Sequence, residues 1–394
     1  MNLIEVNNLE KRLTNWNKEK IMLKLFSEKY HKPDMILLIA LGILIVLGLL
    51  VLSSAGTAVG FENFDDSYYF IKHQLLYGLL PGIFLFFILA NINYKIWKKF
   101  IAPLLIASIL LLIIVFIPGV GAEYGTAKSW INIGDFSFQP SELVKLTFLL
   151  YLATWLEKRG RTGVKDFYTG FLPFFFLIAV ISILMLLQPD MGSLSIIIFM
   201  SIVVFFASGA KMKHVLGMLG AGMASIYLLI AKSSYRAARL TTFLHPELDP
   251  QGIGYHINQA FLAIGSGGFW GRGFGHSRQK FQYLPEATGD SIFAIYAEEL
   301  GFLMSVILVG LFVLIMQRGF KIAKNAPDQF GRLTAIGIIS WIIFQAFFNI
   351  ASMIGLLPMT GIPLPLVSYG GSAMVIALAA MGILINISSQ TKTQ

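Results

Sequence analysis

Several polar side chains stand inside stretches that are otherwise almost wholly apolar. Glu142 and Lys145 are three residues apart at the start of one such stretch, so on a helix both project from one face and can pair. Asp290 immediately precedes another. A carboxylate at a helix mouth is an ordinary N-cap, and on the residues alone capping stands well ahead of catalysis. Glu298 and Glu299 follow about two turns further in, where at least one must be paired or protonated. Gln345, Asn349 and Ser352 recur at i, i+4 and i+7, a stripe suited to hydrogen bonding between helices. The chain has no cysteine, so disulfides, thiolate metal sites and cysteine nucleophiles are excluded.

The elements that must position these groups are membrane spans. Of 394 residues, 56% are hydrophobic and 13% charged, with mean hydropathy +0.73. A soluble domain carries about twice that share of charge. Soluble enzyme, secreted module and disordered chain are excluded. Ten stretches are apolar enough to cross a bilayer: 35–53, 73–90, 100–118, 141–156, 168–188, 192–210, 215–231, 291–316, 333–354 and 372–388. The fold class expected is therefore an all-α polytopic membrane protein of about ten transmembrane helices, residues 35–388. A tail of residues 1–34 precedes it and a short one, 389–394, follows.

Net charge is +9, but its placement speaks for topology rather than nucleic acid. With both termini cytoplasmic, the outer segments hold only Lys72, Lys128, Lys232, Arg236, Arg239, Arg272, Arg278 and Lys280. Lys145 lies within a span, and every other Lys and Arg lies inside. The tail 1–34 lacks the apolar core and cleavage site of a signal peptide and reads as a cytoplasmic extension. The longest outer segment, 232–290, joins the seventh and eighth spans and is rich in aromatic residues and glycine. Long loops tend to be functional or disordered, and these aromatics argue against disorder. Residues 254–264 read as an amphipathic interfacial segment. Gly265-Ser266-Gly267-Gly268 follows no strand, so it reads as turns rather than a phosphate cradle.

Four motifs occur in an order that resembles the SEDS family (shape, elongation, division and sporulation). They are Gln139-Pro140-Ser141-Glu142-Leu143-Val144-Lys145, then Gln188-Pro189-Asp190-Met191-Gly192, then Tyr283-Leu284-Pro285-Glu286 with Asp290. The last is Asn349 followed by Gly361-Ile362-Pro363-Leu364-Pro365-Leu366-Val367-Ser368-Tyr369-Gly370-Gly371-Ser372. The resemblance spans about residues 35–388. Tyr235-Arg236-Ala237-Ala238-Arg239-Leu240 and Ser277-Arg278-Gln279-Lys280 resemble the cell-division branch, FtsW, more than the elongation branch, RodA. Two departures stand out. The family usually has His-Thr-Asp where this chain has Thr288-Gly289-Asp290, and often Arg before Trp130, where the nearest basic residue here is Lys128.

The resemblance implies a peptidoglycan glycosyltransferase that polymerises lipid II at the outer face of the bacterial cytoplasmic membrane, at the division site. The implied partners are a class B penicillin-binding protein of the FtsI type and other membrane proteins of the divisome. Asp290 is then the candidate base, and a divalent cation such as Mg or Mn is a candidate cofactor with Asp290 as its ligand. The substrate cavity is expected to include Glu142, Lys145, Lys128, Trp130, Gln139, Asp190, Arg236, Arg239, Lys280, Glu286, Asn349, Ser368, Gly370 and Gly371. Three further readings compete: a lipid II flippase, a non-catalytic divisome scaffold, and an elongation role of the RodA type.

Overall fold

The computed structural model describes residues 31–391 apart from 125–126, 134–135, 232–233 and 249–251. The expectation for the amino-terminal tail falls mostly on residues 1–30, which lie outside the described residues, as do 392–394.

A helix overlaps each of the ten apolar stretches. They are α1 (Met35–Ala55), α2 (Tyr69–Asn91), α3 (Tyr94–Ile114), α4 (Pro140–Lys165), α5 (Phe167–Leu187), α6 (Met191–Ala207) and α7 (Met212–Ala231). After α8 (Ser234–Leu244) and α9 (Ile253–Gly267) come α10 (Ile292–Asn325), α11 (Gln329–Met353) and α12 (Gly371–Ser388). Among the described residues, α1, α2, α3, α5, α10, α11 and α12 are long and apolar enough to cross a membrane. The protein is a multi-pass membrane protein. Aspartates start four helices, each accepting a hydrogen bond from an amide of the first turn: Asp34 from Leu37, Asp166 from Thr169, Asp190 from Ser193 and Asp328 from Gly331. Pro140 opens α4, where its missing N–H costs nothing. α11 and α12 form the buried centre, with Trp341 only 1% exposed and α2 packed along α12.

The all-α expectation needs one correction. Residues 121–138, between α3 and α4, form a three-stranded antiparallel sheet of β1 (Gly121–Tyr124), β2 (Ala127–Ile133) and β3 (Phe136–Phe138). In β2, buried Ser129 and Ile131 alternate with half-buried Trp130 and exposed Asn132, the two-residue period of a half-covered strand. The segment is too short and too polar to show against the apolar runs beside it.

The segment 232–290 is also more ordered than a loop. It contains α8 and α9, and α9 buries Ile257, Ala260, Ala263 and Gly267 against α10. α10 is broken at Gly301, which has φ +79°. A break in a membrane helix frees backbone groups that lipid cannot satisfy. Here the chain after α9 satisfies them: Phe302 and Leu303 N–H donate to the carbonyls of Gly268 and Phe269 at 2.9 and 3.2 Å. In return Arg272 and Gly273 N–H donate to the carbonyls of Glu298 and Glu299. The backbones approach so closely that a Cβ on Gly271 would strike the main chain of Glu299 and Leu300, and one on Gly301 that of Trp270 and Gly271. The expectation of turns at 265–268 is therefore corrected: Gly265, Ser266 and Gly267 form the last turn of α9 and only Gly268 lies beyond it, while Gly267, Gly271 and Gly301 serve close packing against facing backbone.

The opposite end of the bundle is tied by ion pairs. Arg318 holds Asp34 through two nitrogens, and Lys98 meets Glu157 at 2.6 Å.

Candidate active site

α4 brings Glu142 and Lys145 into the interior, 3% and 1% exposed, with Nζ 2.7 Å from Glu142 Oε2. The i, i+3 spacing read from the sequence is what joins them. Lys145 also donates to Gln345 Oε1 at 3.4 Å and lies 5.2 Å from the centre of the Trp341 ring. Gln345 Nε2 in turn donates to the Pro363 carbonyl. A cavity of about 10 Å³ beside this group is lined by Glu142, Gln345, Leu364 and Ser368, among others. That is room for about one water and not for a sugar.

One turn along α11, Asn349 Nδ2 donates to two carbonyls, Asp290 at 2.7 Å and Ile362 at 2.8 Å. The stripe on α11 therefore does more than join helices. It fastens the segment 361–368 and the entrance of α10 to the same face that holds the Glu142–Lys145 pair. Ser368 closes a tight turn by accepting from Leu364 N–H. Gln74, at the start of a π-helical turn in α2, donates to the Ser368 carbonyl and accepts from Gly370 N–H. Gly371 opens α12 against the Tyr77 carbonyl. Tyr369 N–H donates to the Thr288 carbonyl at 2.9 Å, joining this loop to the segment that carries Asp290.

Asp290 is 9% exposed. The N-cap position of α10 is Ser291, one residue later, and its side chain makes no capping bond. Ser291 Oγ instead donates to Asp290 Oδ1 at 3.3 Å and meets His256 Nε2, from α9, at 2.6 Å. Glu286 is exposed and left-handed (φ +51°), and its carbonyl accepts from Gly289 and Ser291 N–H, turning the chain into α10.

Two turns into α10, Glu298 and Glu299 are each 1% exposed and are paired, as membrane depth requires. Glu298 accepts from Ser277 Oγ and from Arg278 and Gln279 N–H, and Glu299 accepts from Ser54 Oγ and Ser277 N–H. Lys280 Nζ completes the cluster, 3.2 Å from Glu299 Oε1 and 2.6 Å from the Gly275 carbonyl. Arg272 lies 3.7 Å from Glu298. The two carboxylates thus gather residues 272–280 onto the bundle.

The remaining site residues expected from sequence are dispersed. Gln139 Nε2 donates to Asp190 Oδ2 at 3.2 Å, while Asp190 caps α6. Trp130 lies half-buried in β2. Lys128 belongs to β2 and Arg236 and Arg239 to α8, but their side chains lie outside the described residues. His256, Ser291, Gln74 and Ser54 were not expected. Each meets its partner across 35 to 294 residues of chain or sits beside an already chosen residue, so no local spacing marks it. Among the described residues no group of three or more His, Asp and Glu side chains converges as a metal cage. A single buried carboxylate does fit the mode in which Mg is held by one or two carboxylates together with substrate phosphates.

Comparison with known proteins places this arrangement. The family model for FtsW, RodA and SpoVE, described as cell cycle protein, matches residues 34–393. The chain is 39% identical over 359 residues to a probable peptidoglycan glycosyltransferase FtsW of Geobacter sp. (strain M18), covering 91% of this chain and 97% of that one. It is 39% identical over 364 residues to stage V sporulation protein E of Bacillus subtilis (strain 168), covering 92% and 99%. Among solved structures it resembles a chain from a peptidoglycan synthase complex studied for its coordination of polymerization and crosslinking. That match has TM-score 0.76 and 30% identity, over 92% of this chain and 99% of that one. The rod shape determining protein RodA of Thermus thermophilus matches with TM-score 0.67 and 29% identity, over 92% and 98%. A family model spanning nearly the whole chain, and relatives alike along their full length, agree: the chain belongs to the FtsW/RodA/SpoVE family.

Proposed function

We propose that the protein is a peptidoglycan glycosyltransferase of cell division, polymerising lipid II into β-1,4 glycan strands at the outer face of the bacterial cytoplasmic membrane. The observation that carries the reading is Asp290: a nearly buried carboxylate at the entrance of α10, anchored from α11 and α9, in a chain of this family.

The acceptor sugar attacks through its 4-hydroxyl, whose pKa lies far above neutrality, so the attack needs a base. Asp290 takes that proton as the oxygen bonds to the donor's anomeric carbon and the bond to the lipid pyrophosphate breaks. Displacement from the opposite face inverts the anomeric centre and yields the β linkage. Lys145 and Lys280 each face a buried carboxylate and balance charge inside the bundle. In this reading Lys128, Arg236 and Arg239, basic residues of the outer segments, bind the departing pyrophosphate. A divalent cation held by Asp290 and the pyrophosphate would supply further charge neutralisation.

A flippase would need a passage for a hydrated headgroup. The polar cavity beside Glu142 and Gln345 is water-sized and offers no such passage at that place. The partner in this reading is a class B penicillin-binding protein of the FtsI type, within a divisome assembly at the division site. The likeness to a chain from a peptidoglycan synthase complex supports it.

The test is polymerisation of lipid II in detergent by the purified protein with that partner. Glycan polymer is the expected product. None from well-folded protein would return the chain to a transport or scaffold role. Copurification of the partner with no rise in rate would reduce it to a tether.

A further inference from the structure

We infer that His256 is a positioning residue for Asp290, acting through Ser291; the inference rests on the reading of Asp290 as the base. Ile257, Ala260 and Ala263 bury against α10, and this packing fixes the register of α9. In that register His256, one residue before the buried stripe, comes beside the entrance of α10. Its Nε2 lies 2.6 Å from Ser291 Oγ, and Ser291 Oγ lies 3.3 Å from Asp290 Oδ1.

The direction of these bonds follows from counting protons. An ionised carboxylate only accepts, and a hydroxyl has one proton to give. With Ser291 donating to Asp290, its short contact with His256 requires His256 Nε2 to carry hydrogen and donate. The opposite tautomer would set two lone pairs against each other at 2.6 Å. His256, Ser291 and Asp290 therefore form a directed chain of donors ending on the carboxylate.

The chain has a mechanical use. The last torsion of an aspartate is broad and its carboxylate swings freely unless held. Asn349 holds only the main chain of Asp290, through its carbonyl. The bond from Ser291 fixes one oxygen of the carboxylate, and His256 in turn fixes the Ser291 hydroxyl, which would otherwise rotate. A base displaced by a fraction of an ångström from the acceptor hydroxyl loses rate in the chemical step while binding substrate as before.

The experiment measures kcat and KM for lipid II polymerisation, with unfolding midpoints alongside, in the full-length protein with its partner. The variants are His256→Gln, His256→Asn, Ser291→Ala and the double His256→Asn/Ser291→Ala. A glutamine amide reaches the place of Nε2 and can still donate, whereas asparagine is too short. His256→Asn and Ser291→Ala should each lower kcat about tenfold with KM unchanged. His256→Gln should keep the wild-type kcat. The double variant should be no slower than Ser291→Ala alone, because the chain is already cut. Wild-type kcat in His256→Asn, equal loss in Gln and Asn, or multiplying losses in the double variant would each overturn the inference while leaving the activity intact. No polymer from the wild type would instead overturn the proposed function, and the inference with it.

Discussion

Asn349 and Asp290 are joined by one hydrogen bond, from the side-chain amide of α11 to the main-chain carbonyl that precedes α10, at 2.7 Å. The same amide holds the Ile362 carbonyl. One polar side chain thus sets the spacing between the acidic entrance of α10 and the loop before α12. Replacing it with alanine strands two buried carbonyls, each at a cost of about 1–3 kcal/mol. Asn349→Ala should lower the unfolding midpoint in detergent and reduce polymerisation in the protein that remains folded. An unchanged midpoint would show that the carbonyls find other donors.

The Glu142–Lys145 pair should behave as a unit. Removing one partner leaves a charge in the interior of the bundle, at a cost of about 3–5 kcal/mol, whereas removing both leaves none. Glu142→Leu and Lys145→Leu should each destabilise strongly, and the double variant should be more stable than the summed singles predict. Strict additivity in that cycle would mean the charges do not interact.

Glu298 should act as an anchor for the segment before α10. Its carboxylate takes the Arg278 and Gln279 amides and the Ser277 hydroxyl, so Glu298→Ala removes their shared acceptor. Limited trypsin digestion should then cut at Arg278 and Lys280 faster than in the wild type while the helices stay protected. Equal rates would show that the backbone bonds between 268–273 and α10 are enough.

Two glycines of α10 should respond in opposite ways to alanine. Gly301 is left-handed and packed on the backbone of Gly271, so Gly301→Ala meets both torsional strain of about 1–3 kcal/mol and a clash. Gly310 lies in the same helix with open space beside it, so Gly310→Ala should be neutral or raise the unfolding midpoint. Similar losses at both positions would contradict the backbone clamp.

What the sequence disclosed divides by range. Apolar runs of bilayer length marked every long helix, and a spacing of three placed Glu142 against Lys145, because both signals are local. Asp290 stood out because a charge borders an apolar run. The break at Gly301 was hidden, since the hydropathy of α10 runs through it unchanged and only the approach of residues 268–273 reveals it. Glu298 and Glu299 announced that they needed partners but not which ones. Lys280 is near in the chain, whereas Ser54 lies 245 residues away on α1. His256 was concealed for the same reason, and the sheet at 121–138 because its strands are short.

The central claim is that Asp290 is the base of a glycan polymerase. The direct measurement is lipid II polymerisation by the Asp290→Asn variant beside the wild type, at equal levels of folded, membrane-inserted protein with the same partner. Asparagine keeps the shape and the main-chain bond to Asn349 but cannot take the acceptor's proton. The account predicts no detectable polymer with an unfolding midpoint close to that of the wild type. Near-normal polymer from the folded variant would contradict it and leave Asp290 a structural carboxylate.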